Sequence, residues 1–187
     1  MNKYPNILIE GCSGGGGRFD AGMLYYTPQI WCSDNTDAHE RTFIQYGTSF
    51  FYPISAVGSH VSAVPNHQTG RITSLETRGT VAMAGSFGYE LDLNQLDQNE
   101  KEKVAEQVKA YKEYQELIYG GKYYRLSNPK KDDLAAWEFI SEDCSKILVQ
   151  GVAFRAASNV LRHRIKLLGV DGTAIYRFVK GRQDRKS

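Results

Sequence analysis

The chain has 187 residues and a formal net charge of +2. That length supports one ordinary domain or two small ones, and a core that takes roughly 70% of the unfolded surface out of water. A near-neutral balance gives no charge-based reason to expect a nucleic-acid or membrane partner, and the basic cluster at residues 180–187 reads as a solvated tail.

No charged-then-apolar leader opens the sequence, and no run approaches the roughly 18 apolar residues of a membrane span, so a cytoplasmic location is expected. Three cysteines, Cys12, Cys32 and Cys144, are widely spaced and form no CxxC pair, so neither a disulfide framework nor a zinc site is expected. The 12 Tyr and 2 Trp suit β-rich packing first and sugar stacking second.

Residues 6–10 (Asn-Ile-Leu-Ile-Glu) read as a buried strand, broken by the run Gly11-Cys12-Ser13-Gly14-Gly15-Gly16-Gly17. A short strand is expected at residues 30–32. Asp37-x-x-Glu40 resembles a capping box and opens a helix through Arg41, Ile44 and Gln45. Residues 49–52 read as a third strand closed by Pro53, and a loop rich in Ser, Gly and His runs to about Gly70. A helix is expected at 74–84 and a fourth strand at 87–91. Strand-then-helix alternation of this kind indicates parallel βα units.

From Asp97 to Tyr119 the pattern is a long amphipathic helix, with Val104, Val108, Tyr111 and Ile118 on the apolar side and Glu and Lys on the other. After Gly120-Gly121 come β-like segments at 123–126, 135–140, 146–155, 164–168 and 174–179, separated by Pro, Asp, Asn and Gly. This change predicts an antiparallel sheet or sandwich, with a domain boundary near 120.

Two segments carry candidate chemistry. The glycine run has neither GxGxxG nor a GxxxxGK spacing, which argues against a phosphate cradle. It equally fits a tight turn or a close backbone approach to a ligand such as a sugar. In Trp31-Cys32-Ser33-Asp34-Asn35-Thr36-Asp37, Asp34 follows an uncharged stretch where burial would raise a carboxyl's pKa and suit it to general acid work. The same spacing fits a helix N-cap or Asx turn. Cys12 paired with His60 or His67 would be a nucleophile, against the commoner reading of a small buried thiol. His60 and His67 themselves read as rim or surface residues rather than metal ligands.

At these residues the chain resembles the α-galactosidases of glycoside hydrolase family 36. The segments Cys12-Ser13-Gly14-Gly15-Gly16-Gly17-Arg18-Phe19-Asp20, Trp31-Cys32-Ser33-Asp34-Asn35-Thr36-Asp37, Gly58-Ser59-His60-Val61-Ser62 and Pro65-Asn66-His67-Gln68-Thr69-Gly70-Arg71 carry the likeness. It is nearly continuous from Asn6 to Leu126. The resemblance implies an α/β fold: the last part of a (β/α)8 TIM barrel over 1–120, then a truncated antiparallel β-sandwich over 121–187. It also implies a retaining glycosidase without a cofactor, acting on raffinose- or melibiose-type α-galactosides. Asp34 would be the general acid/base and would also bind the glycosidic oxygen, while Cys12, Gly14 and Gly15 would line the galactose pocket.

The nucleophilic aspartate of such enzymes lies in a Lys-Trp-Asp motif that this sequence lacks. Retaining hydrolysis needs two carboxyls about 5–5.5 Å apart, and Asp37 is expected to point away from that place. The chain therefore reads as part of an α-galactosidase, inactive by itself. The alternative is a non-catalytic carbohydrate-binding or assembly subunit that needs a separately encoded front half, and a homo-oligomer is also compatible with the open sheet edge.

Overall fold

The computed structural model describes residues 3–17, 20–154 and 164–179. It is a mixed α/β fold whose first half is parallel. Strand β1 (Glu10–Gly11) pairs in parallel with β2 (Gln29–Ile30), and β3 (Gly58–Ser62) pairs in parallel with β4 (Ser86–Glu90). One parallel bridge, Ile30 to Val57, ties the two pairs together. All four strands thus run the same way, and their C-terminal ends lie along one rim. Between them lie helices α1 (Ala38–Thr48) and α2 (Leu75–Ala82), followed after β4 by the long α3 (Gln98–Gly120).

Helix starts follow local chemistry. The side chains of Asp37, Ser74 and Asp97 accept backbone N–H groups at the starts of α1, α2 and α3. Only α3 has a full capping box, formed by Asp97 and Glu100. The box expected at Asp37 is not closed: Asp37 caps α1 through His39 N, while Glu40 turns to Arg71.

Two expected strands differ. Of residues 6–10 only Glu10 is in a strand, and Leu8 is 89% exposed. Apolar character there is not matched by a pairing partner, since β1 bonds to β2 alone among the described residues. Residues 50–52 are turns, because the N–H groups of Phe50, Phe51 and Tyr52 donate back to Gly47 and Thr48 and wind the end of α1 down.

The strand that does exist is β3, inside the stretch expected to be loop. Its small residues hide the β pattern, yet its burial is nearly complete: Ser59 donates to Gln45 Oε1 (3.0 Å), and Gln45 Nε2 reaches the carbonyls of Val81 and Ala84 (3.2 Å each). Small side chains let helices α1 and α2 approach the strand this closely.

The second half is a three-stranded antiparallel sheet in the order β5 (Lys122–Arg125), β6 (Leu134–Ile140), β7 (Ile147–Ala153). Central β6 is buried on both faces. Ala135, Trp137 and Phe139 join one apolar cluster with Val57, Val81, Tyr111 and Ile118. On the opposite face, fully buried Glu138 accepts the N–H groups of Leu168 and Gly169 (2.9 and 2.8 Å). That carboxylate docks Leu168 and Gly169 on β6, and the strands expected at 164–168 and 174–179 are not formed. The expected end of β7 at Arg155 and the basic tail lie outside the described residues.

Candidate functional site

The rim at the C-terminal ends of parallel strands is where open and closed parallel sheets collect their reactive loops. Here it gathers Cys12 after β1, Trp31–Asp34 after β2, Ala63–His67 after β3 and Glu90 at the end of β4.

The glycine run folds back onto the loop after β2. Ser13, Gly14, Gly15 and Gly16 all have positive φ, from +62° to +111°, a region that strongly favours glycine. Two of these positions also need the missing Cβ. At Gly15 it would sit 2.7 Å from Asp34 N and 3.1 Å from Asp34 Cγ, and at Gly16 it would lie 2.7 Å from the Cys32 carbonyl oxygen. Gly14 has open space around it, so only its backbone conformation calls for glycine. The run is therefore a wall pressed against Asp34, as a close-approach reading requires.

Asp34 is exposed, so the burial expected around it is not found. It is also not the cap of α1, since Asp37 takes that place. Asn35 N–H donates to Ser33 Oγ and Asp37 N–H to Asn35 Oδ1, so the loop is closed by its neighbours. Among the described residues the carboxyl of Asp34 accepts one hydrogen bond, from Trp31 Nε1 at 3.2 Å, at the exposed rim.

Asp37 does the opposite. It is 2% exposed and accepts from His39 N (2.8 Å), Arg71 Nη1 (2.7 Å) and the Thr69 hydroxyl. Burial raises its pKa, but the bonds from Thr69, the His39 N–H and Arg71 outweigh that and hold the carboxyl below its ordinary value. Asp37 points into this latch and so pins the loop after β3 to the loop after β2. Ser62 Oγ donating to the Thr36 carbonyl and Asn66 Nδ2 donating to Thr36 Oγ1 add two further ties.

Between these loops lies a shallow cleft of about 150 Å³ lined by Thr36, Ser62, Ala63, Pro65, His67 and Glu90. Ligand sites are usually about 300 Å³ or more, and neither Asp34 nor the glycine run lines this cleft. Cys12 is exposed, and among the described residues it makes no hydrogen bond to His60 or His67. His60 instead stacks on Trp31, with ring centroids 4.7 Å apart, and lies 3.8 Å from Glu90. Among the described residues no cluster of His, Cys, Asp and Glu is arranged to hold a metal.

Sequence reasoning missed Arg41. It is 2% exposed, donates to the Ser33 carbonyl (3.3 Å) and the Gly58 carbonyl, and lies 4.9 Å from the Trp31 ring. Burial pulls its guanidinium below the ordinary value, while Cys32 and Glu90 oppose that. Arg41 shares its helix face with buried Ala38, Thr42 and Gln45, so no local pattern marks it: its burial depends on the Ser33 and Gly58 carbonyls it reaches.

The strand-end loops bring Asp34 and Glu90 to one rim, and comparison with known proteins shows what the chain is similar to. The melibiase family model matches residues 1–121, and the chain belongs to the melibiase family. It is 59% identical over 175 residues to the bifunctional alpha-galactosidase/sucrose kinase AgaSK of Mediterraneibacter gnavus, covering 94% of this chain and 19% of that protein. To alpha-galactosidase AgaA of Geobacillus stearothermophilus it is 54% identical over 175 residues, covering 94% of this chain and 24% of that protein. The chain thus spans a quarter or less of these relatives.

Solved structures agree. The galactosidase domain of AgaSK superposes with a TM-score of 0.89 at 60% identity, over 91% of this chain and 24% of that one. An AgaA variant of glycoside hydrolase family 36 in complex with raffinose gives 0.89 at 54% identity, over 91% of this chain and 24% of that one.

Proposed function

We propose that this chain carries the acid/base side of a retaining α-galactosidase, with Asp34 as the general acid/base. The observation that carries the reading is the contrast between two carboxyls three residues apart. Asp37 is consumed by a buried latch, while Asp34 is held open at the rim by one indole N–H and a glycine wall.

In this reading Asp34 protonates the glycosidic oxygen as a nucleophilic carboxylate attacks the anomeric carbon. It then takes a proton from the water that releases galactose. The nucleophile belongs to a Lys-Trp-Asp segment outside these 187 residues, so Asp34 and the glycine run form one wall of the complete pocket. Cys12, Gly14 and Gly15 line the galactose side of that pocket, where backbone without side chains admits a pyranose ring closely. Strands β1–β4 with their helices, over 1–120, act as late units of a (β/α)8 barrel. The antiparallel sheet within 121–187 acts as part of a C-terminal β-domain.

Raffinose-type α-galactosides are the proposed substrates. Support comes from the structures of AgaA variants in complex with raffinose and with stachyose, to which this chain is 54% and 55% identical. The purified 187-residue chain is expected to turn over no p-nitrophenyl α-galactoside. Exchanged for the matching segment of AgaA, it is expected to give an active chimera. An inactive but folded chimera, or turnover by the chain alone that Asp34→Asn abolishes, would overturn the proposal.

A further inference from the structure

Trp31 is gripped from several directions, and its only polar atom is aimed at Asp34. Its indole Nε1 donates to Asp34 Oδ1 at 3.2 Å, the Arg41 guanidinium lies 4.9 Å from its ring, and the His60 imidazole is stacked on it at 4.7 Å with the planes 28° apart.

Room for this stack is cut out by two glycines on separate strands. A Cβ at Gly58 would come within 3.2 Å of Trp31 Cε3, and a Cβ at Gly88, the residue opposite His60 in the β3–β4 ladder, would sit 3.0 Å from His60 Cδ2. Glycine inside a strand weakens it and is kept where something must approach closely. At Gly88 what approaches is the His60 ring, and at Gly58 it is the Trp31 ring together with Glu10 Oε2 and the Ile30 carbonyl oxygen, both 3.3 Å from the added Cβ. From the adjacent strand β4, Glu90 brings its Oε2 to 3.8 Å from His60 Nδ1.

We propose that His60 is a positioning residue: its ring, seated over Gly88 and stacked on Trp31, fixes the indole so that Nε1–H holds the Asp34 carboxyl in one orientation at the rim. Asp34 is exposed and accepts no other hydrogen bond among the described residues, so this single donor determines where its oxygens point. A carboxyl that must meet a glycosidic oxygen gains from such preorganisation. The inference rests on the acid/base reading of Asp34 for its purpose, but not for its geometry.

The test uses the chain itself. It has two tryptophans, so an amide correlation spectrum of uniformly ¹⁵N-labelled protein shows two indole N–H peaks. Trp31→Phe assigns them, and the Trp137 indole, which donates to Gln150 Oε1 at 3.1 Å, serves as an internal control. Asp34→Ala marks the position of the Trp31 peak without its acceptor. In His60→Ala the Trp31 peak is expected to move at least halfway to that position while the Trp137 peak stays. His60→Phe, which restores a ring, is expected to bring it most of the way back.

A Trp31 peak that stays at its wild-type position in His60→Ala overturns the proposal, as does one that ignores Asp34→Ala. Should His60→Ala disturb the Trp137 peak as well, Gly88→Ala decides: it keeps the histidine but crowds its ring, and the Trp31 peak must still move. Because the readout is spectroscopic, its failure leaves the acid/base reading standing. Loss of that reading in a turnover assay would likewise leave the peak shifts to be judged alone.

Discussion

Gly15 packs so closely against Asp34 that no side chain fits at Gly15. Gly15 has φ +73°, and an added Cβ would be 2.7 Å from the Asp34 backbone nitrogen, which cannot swing aside as a flexible side chain could. Gly15→Ala should therefore cost about 1–2 kcal/mol from the left-handed conformation alone. It should also displace Asp34, which the Trp31 indole peak would register as a shift. Full retention of both stability in urea and that peak would contradict the close contact.

The neighbouring carboxyl behaves differently because it is paired. Asp37 has a folded-state pKa below the ordinary 3.8, so its contribution is complete above that value and fades as the pH falls toward the lower folded-state value. Stability measured by urea unfolding should therefore drop as acid is added below pH about 4. In Asp37→Asn that part of the drop should be absent, at a cost near neutral pH of about 1–2 kcal/mol for the weakened cap and latch. An unchanged acid profile in Asp37→Asn would show that other carboxylates set it.

At the scale of elements, what could be read in the sequence depended on whether the signal was local. Helix α3 was legible because its caps and apolar repeat are local, and so were α2, β4, β6 and most of β7. Strand β3 was not. Gly58, Ser59 and Ser62 have weak strand propensity, and their burial comes from Gln45 and Arg41 reaching in from α1. The run at 49–52 erred the other way: its aromatic residues suit a strand, yet the end of α1 captures its N–H groups. At the site, Asp34 and the glycine run stood out from their residue types. The roles of His60, Arg41 and Arg71 depend on contacts 17 to 34 residues away along the chain, which no local pattern carries.

Helix α3 offers a test at this scale. Only Tyr111 and Ile118 on it are buried, and the Tyr111 hydroxyl donates to the Gly85 carbonyl (2.9 Å) and accepts from Phe87 N–H (3.3 Å). Tyr111→Phe leaves both groups without that partner and should cost about 1–3 kcal/mol. A urea midpoint within error of wild type would mean that this hydroxyl adds nothing to docking beyond the Gln107 and Lys103 contacts of the same helix.

For the whole molecule, one apolar cluster joins side chains from both sides of residue 120. Ala38, Val57 and Val81 pack with Trp137 and Phe139, so the parallel strands and the antiparallel sheet share a core. Unfolding of the described fold should accordingly be a single transition, seen at the same denaturant concentration by Trp137 fluorescence and by helix content. Two separated transitions would mean that each half holds its own core. The same fold leaves Ile7, Leu8 and Ile9 exposed beside β1, which pairs with β2 alone among the described residues, consistent with a chain that spans a quarter or less of its relatives.

The central claim is that Asp34 donates the proton to the departing oxygen, and leaving-group dependence tests it most directly. A general acid matters most when the leaving group is poor, and is worth about 10²–10⁴-fold there. In the active AgaA chimera bearing this chain, Asp34→Asn should lower kcat/KM for raffinose by a factor in that range. For p-nitrophenyl α-galactoside, whose phenolate leaves with little help, the loss should be at least tenfold smaller. Equal losses on the two substrates, or none on raffinose, would contradict the assignment.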